Sequence, residues 1–325
     1  MKKAKPMFIL LIKVLVSAGL LAFFFTRIHF ERFLSTLAGA DFTYVALGLI
    51  VYFATQLGSA LRWTVLARPL GFETRYRDLS FYYLIGMFFN LFAPSTVGGD
   101  VTRVYYLARD REKEHEKGWV ASTVPAAVSV FMDRALGMAV LVWLGAVGLV
   151  LFPDYAVPSA IRSLTFVLAL ALAGGAVLMP LLRAVLPDDG HPMVVKLRLA
   201  MRAYHAHWGV IPQAILLSFV LHLVQAWMHL LLGRALQINV PFSFCIILYP
   251  LVGTFAALPI SLNGIGLREG GYLFLLGVIG VTAEKSIAFG LLLFLIVIVD
   301  SSIGGLLFLL KQSPRPAGDT WAKST

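Results

Sequence analysis

The chain has 325 residues, of which 59% are hydrophobic and 14% charged, with a mean hydropathy of +0.84. Globular domains run at about 45–50% apolar and about 25% charged, so this composition excludes a soluble fold, and its hydrophobicity excludes disorder. The net charge of +10 sits mostly in short loops beside apolar spans, where it orients a membrane protein and meets anionic headgroups and not nucleic acid; the single cysteine, Cys245, makes neither an intramolecular disulfide nor a metal site.

Lys2, Lys3 and Lys5 precede an apolar run from Met7 to Thr26. A run of about 20 residues spans a bilayer and exceeds a signal-peptide core, so an uncleaved transmembrane helix is expected over 7–26. The block 42–66 predicts a second span, with Arg62 near enough to its end to snorkel to the headgroups. The chain is apolar again from Leu79 to Pro94, then runs through Ser95, Gly98, Gly99, Asp100 and Arg103. Proline and glycine at this density break a helix and free backbone groups. Such backbone survives at membrane depth only when buried in protein or lining a wet cavity, so a broken, re-entrant hairpin is expected here.

Segment 119–152 predicts one long tilted or kinked helix, with two shorter pieces as the alternative. Asp133 and Arg134 lie ~21 Å along it at 1.5 Å per residue, too deep for easy snorkelling. Adjacent helical residues point about 100° apart, so each needs its own partner, either structural or in a cavity. Spans follow at 162–182 and 210–233. The second carries His222, Gln225 and His229 in one stripe; the histidines are ~10 Å apart, too far to share a metal, and interhelical hydrogen bonding is expected. A second break follows the apolar stretch Phe242 to Pro259, through Ser261, Asn263, Gly264, Gly266, Arg268 and Glu269. The last span is 286–310. Asp300 there sits beside Ser301, Ser302, Gly304 and Gly305, which favours close helix packing, with proton carriage as the alternative.

The two breaks are alike. Pro94 to Arg103 and Pro259 to Arg268 are both nine residues, and Tyr83 to Ser95 and Tyr249 to Ser261 are both twelve. The two alignments differ by one residue, so a duplicated pair of hairpins and a chance likeness both stand. With the N-terminal lysines in the cytoplasm, six full crossings put the C-terminus there too. The loops 67–78, 108–118 and 183–209 fall on the same side and are rich in Arg and Lys, whereas 153–161 has none, in accord with the positive-inside rule. The first hairpin then enters from the cytoplasm and the second from outside. This inverted arrangement occurs in transporter folds whose substrate site lies where broken helices meet.

The fold class expected is therefore all-α: a polytopic membrane bundle of about six spans plus two broken hairpins, one domain over 1–311 and a short cytoplasmic tail over 312–325. Charge within it is costly, about 2.5–3.5 kcal/mol for a central Arg, Lys or Asp. Arg103 and Arg268 each follow a glycine break, where free N–H groups favour anions and a guanidinium fork suits phosphate. An anion site is the expectation; structural pairs of Arg103 with Asp100 and Arg268 with Glu269 are the alternative. No HExxH, CxxC, Walker or GxSxG motif is present, so no enzyme, metal or cofactor is expected.

FFNLFAPSTVGGDVTRVYYL (Phe88–Leu107) and LPISLNGIGLREG (Leu258–Gly270) resemble the two signature segments of the lysylphosphatidylglycerol synthase transmembrane family, also called flippase-like. Arg62-Trp63 and Asp133-Arg134 fit the same pattern, although the family often has Glu-Arg at the latter. The resemblance spans about residues 7–311. It implies a membrane part that moves a modified lipid between leaflets, which in the synthases is made by a separate soluble domain. This chain ends fourteen residues after Lys311, so lysyl transfer is not expected. Stand-alone members are regarded as lipid flippases or partners of polyprenyl-phosphate or hopanoid pathways. Carried over residue by residue, the site includes Asn90, Pro94, Ser95, Gly98, Gly99, Asp100 and Arg103, then Ser261, Asn263, Gly264, Gly266, Arg268 and Glu269, with Arg134 contributing.

The leading functional expectation is movement of an anionic, phosphate-bearing lipid, a phospholipid or polyprenyl phosphate, across the cytoplasmic (inner) membrane. Asp100, Asp133, Glu269 and Asp300 are the candidates for a coupled proton. The second expectation is a non-transporting partner of a membrane glycosyltransferase or lipid-modifying enzyme, and the third a lipid transferase.

Overall fold

The computed structural model describes residues 14–20, 22–24, 26, 28–92, 98–115, 119–185, 192–258, 261 and 264–312. In chain order the helices are α1 (Val14–Phe24), α2 (Phe30–Ala38), α3 (Phe42–Ala67), α4 (Tyr76–Phe92), α5 (Gly98–His115), α6 (Trp119–Leu151), α7 (Ser159–Val185), α8 (Pro192–Ala206), α9 (Val210–Ala235), α10 (Phe242–Ala256), α11 (Leu267–Val278) and α12 (Ala283–Gln312). Among the described residues every regular element is helical, and α3, α6, α7, α9 and α12 are long and apolar enough to cross a membrane.

Local chemistry sets the ends. The Asp41 carboxylate accepts the Thr43 N–H at 2.8 Å and caps α3, and Gly71, at φ 80°, closes the turn that follows it. Segment 119–152 forms one continuous helix despite Pro125, the first of the two alternatives. Pro125 is the seventh residue of α6 and forgoes one intrahelical hydrogen bond, to the carbonyl of residue 121, and the helix runs on through it. The expected span 7–26 falls partly outside the described residues; its described part contains α1. The stretch 183–209, read as a loop, contains α8. That helix is too short and too basic to cross a membrane, which is why apolar run length did not reveal it.

Helices α3 and α9 form the central antiparallel pair. The Asp41 N–H donates to the Ala235 carbonyl at one end, Gln225 Nε2 donates to Thr55 Oγ1 midway, and Arg62 Nη1 donates to Ser218 Oγ near the other end. The Tyr204 hydroxyl on α8 donates to the Leu66 carbonyl beyond that.

Both expected hairpins are present. The first, α4–α5, follows the Leu66 end of α3. The second, α10–α11, follows the Ala235 end of α9, and at that end Lys285 Nζ, in the first turn of α12, donates to the Gln237 carbonyl between α9 and α10. The two hairpins therefore enter from opposite ends of the α3–α9 pair. In the first, Gly99 lies against the Gly86 carbonyl and Asn90, a close approach that any side chain would block. In the second, Gly264 (φ 76°) and Gly266 (φ 87°) take left-handed conformations that glycine adopts without penalty.

Candidate functional site

A cavity of about 400 Å³ opens between the hairpins and the central pair. One face of α3 lines it with Tyr52, Thr55, Gln56, Ser59 and Arg62. Their positions, i, i+3, i+4, i+7 and i+10 from Tyr52, put all five on one stripe. Helix α9 faces this stripe with His222, Gln225 and His229. The first hairpin contributes Tyr83, α6 contributes Arg134, and the second hairpin contributes Tyr249, Arg268 and Tyr272. Leu141, Val252, Leu293 and Val297 supply apolar walls. The lining thus contains three arginines and no carboxylate among the described residues.

The carboxylates lie just behind. Asp133 is buried between two guanidiniums, with Arg62 Nε at 2.8 Å from Oδ1 and Arg103 Nη2 at 2.7 Å from Oδ2. The Arg103 guanidinium is also packed on the rings of Trp63 and Tyr83, at 4.2 and 4.5 Å from their centroids. Arg134 uses Nε alone on Asp100, at 2.7 Å from Oδ1. Its side chain is 50% exposed, so both terminal nitrogens remain available as donors. Arg268 uses Nε and Nη2 on the buried Glu269, at 3.1 and 2.9 Å from Oε1, and lies 4.9 Å from the Phe294 ring centroid. The other Glu269 oxygen accepts the Gly266 N–H at 2.7 Å, locking the glycine turn to the start of α11. Four guanidiniums share three carboxylates here, which leaves one positive charge in excess.

The polar stripe is organised by paired hydrogen bonds. His222 Nε2 lies 2.9 Å from the Gly137 carbonyl and Nδ1 lies 2.8 Å from the Tyr249 hydroxyl. In the neutral ring Nε2 therefore donates, and Nδ1 accepts from Tyr249. His229 has the opposite tautomer: Nδ1 donates to the Gln225 carbonyl at 2.8 Å, and Nε2 accepts from Tyr272 at 2.7 Å. These bonds place the two tyrosines, and hence the second hairpin, against α9. The expected interhelical hydrogen bonding is present, and the same residues line the cavity.

The structure redistributes the residues expected at the site. Arg134 and Arg268 face the cavity. Arg103 does not; it is buried against Asp133, and its contact with Asp100 is 3.9 Å. Asp100 and Glu269 serve as partners of the cavity arginines. Asn90 Oδ1 accepts the Gly99 N–H at 3.0 Å, so Asn90 and Gly99 close the first hairpin, whose α5 starts at Gly98. Ser261 is buried, and Gly264 packs against the Ala256 carbonyl. Pro94, Ser95 and Asn263 lie outside the described residues. Arg62, expected to snorkel, is instead buried, because Asp133 and Ser218 hold it inward.

Reading the sequence for charge and breaks missed the tyrosines and the α3 stripe. The signal was available: Tyr52, Thr55, Gln56, Ser59 and Arg62 recur at helical period inside an otherwise apolar span.

Two broken hairpins entering from opposite ends around an arginine-lined cavity define a polytopic helical membrane protein with an internal polar site. The model of the lysylphosphatidylglycerol synthase TM region matches residues 10–304, and the chain belongs to that family. A UPF0104 membrane protein of Methanocaldococcus jannaschii is 27% identical over 136 residues, covering 42% of this chain and 38% of that protein. The chain thus matches less than half the length of this relative.

Proposed function

We propose that the protein moves an anionic, phosphate-bearing lipid between the leaflets of the cytoplasmic membrane, with both termini in the cytoplasm. The carrying observation is that Arg62, Arg134 and Arg268 line one cavity that no described carboxylate lines. A site with one excess positive charge and free N–H donors favours an anion, and arginine grips phosphate through two parallel bonds. The cavity volume of about 400 Å³ suits a polar headgroup, while the acyl chains stay in the bilayer. Arg134 and Arg268 hold the headgroup, and the tyrosine and histidine hydrogen bonds orient it. Arg103 positions the site by fixing Asp133 beside Arg62.

Family membership supports a lipid-related role, and the inverted hairpins support a site reachable from either face. An anion leaving a negative-inside cell gains about 2.3 kcal/mol per 100 mV, whereas inward movement needs a coupled cation. The test is movement of fluorescent lipids in proteoliposomes, comparing an anionic phospholipid, a polyprenyl phosphate and a zwitterionic lipid. The wild type is expected to move a net-anionic lipid at least tenfold faster than Arg134→Gln/Arg268→Gln in protein that still elutes as a folded species. No movement above protein-free liposomes for any lipid, under an imposed potential, contradicts the transport reading and leaves the non-transporting partner in its place.

A further inference from the structure

Among the described residues, five charged ones are buried in the bundle: Arg62, Arg103, Asp133, Glu269 and Asp300. The first four are paired with one another or with a neighbour across the site. Asp300 is not. It is 0% exposed, and neither of its carboxylate oxygens has a hydrogen-bond partner; the adjacent Ser301 hydroxyl has none either.

The position connects this group to the cavity. Leu293 and Val297, seven and three residues before Asp300 on α12, both line it, so Asp300 continues the same helical face. Tyr52, which also lines the cavity, lies close enough to both Asp300 and Arg268 for a charge on either to act on it. One turn beyond Asp300, Gly304 is pressed against the Leu84 carbonyl of α4, so α12 and α4 are in close contact there. The titratable and charged groups that the packed helices bring to the cavity-facing stretch of α12 are Tyr52 on α3, Tyr83 on α4, His229 on α9, and Arg268, Glu269 and Tyr272 on α11. Helix α2 meets the other end of α12, where the His29 N–H lies 3.4 Å from Glu284 Oε1.

A carboxylate without hydrogen bonds or a cation is too costly to leave ionised in such surroundings. A group so placed costs less with a proton than without one, and a rearrangement that supplies a donor or water shifts that balance. Its protonation is thereby linked to the conformational equilibrium of the bundle.

We propose that Asp300 is the proton-binding site that couples lipid movement to a pH gradient. This rests on the transport reading above. Of the four acidic candidates, Asp100, Asp133 and Glu269 are engaged by arginines, and Asp300 alone changes charge without breaking an ion pair. One proton carried with one anionic charge also makes the step electroneutral, so inward movement proceeds against a negative-inside potential.

The test imposes a pH gradient, acidic on the lipid-donor side, on proteoliposomes with a net-anionic fluorescent lipid. The wild type is expected to accelerate several-fold. Asp300→Asn, isosteric and permanently neutral, is expected to move lipid at one rate with or without the gradient, and Asp300→Glu to recover the response. An Asp300→Asn response equal to wild type, or lipid movement by the wild type that ignores the gradient, overturns the proposal while the transport reading stands. No movement by the wild type overturns both. Infrared spectroscopy of the wild type supplies a readout independent of flux and of the fold of the Asn variant. A protonated carboxylic-acid band that shifts in Asp300→Glu is expected, and its absence overturns the proposal.

Discussion

Asp133 anchors the site's charge pattern. It is buried, and each of its oxygens faces a different arginine. Removing one partner of a buried ion pair leaves an uncompensated charge and costs about 3–5 kcal/mol. Asp133→Ala is therefore expected to lower the thermal unfolding midpoint sharply in detergent, and Arg103→Ala, which leaves Asp133 its bond to Arg62, to lower it less. Arg134→Gln removes a half-exposed side chain that makes one bond through Nε, so its midpoint is expected to stay near that of the wild type while headgroup binding is lost. A matching drop for Arg134→Gln would place it with the structural arginines. The sequence disclosed that Asp133 and Arg134 lie deep and need separate partners, because depth follows from counting residues along a helix. It did not disclose Arg62 as the partner, since proximity to a helix end reads equally as snorkelling until the neighbouring helix is seen.

At the scale of elements, the hairpins depend on backbone that only glycine supplies. Gly264 and Gly266 have φ values of 76° and 87°, and a side chain in such a conformation costs roughly 1–2 kcal/mol. At Gly264 a Cβ would also stand 2.8 Å from the Ala256 carbonyl oxygen. Gly264→Ala is thus expected to destabilise by more than the conformational cost alone and to displace Arg268; an unchanged unfolding midpoint would argue against a fixed turn. These breaks were legible, because clustered Pro and Gly within an apolar stretch have few other structural uses. The long spans were legible for the same kind of reason: α3, α7, α9 and α12 extend the expected segments by only a few residues. Helix α8 was not, since fifteen residues of mixed polarity give no length signal. The α3 polar stripe was written at helical period but hidden by the high apolar content around it.

For the whole molecule, the antiparallel pairing of α3 and α9 puts the two hairpins at opposite ends, and the basic loops suggest which end faces the cytoplasm. Cys245 is the single cysteine and is buried, so introduced cysteines report on topology with little background. Arg75→Cys, before the first hairpin, is expected to react from the cytoplasmic side. Asp154→Cys and Gln237→Cys are expected to react only from outside. Labelling of Arg75 and Gln237 positions from one side would refute the inverted arrangement.

The central claim is that the cavity arginines hold an anionic lipid headgroup. Native mass spectrometry of the purified protein, titrated with a net-anionic and a zwitterionic phospholipid, tests it most directly. The account predicts a bound anionic lipid on the wild type, at least tenfold weaker on Arg134→Gln/Arg268→Gln, and little zwitterionic lipid on either. Equal retention of both lipids, or anionic binding unchanged in the double variant, would contradict it.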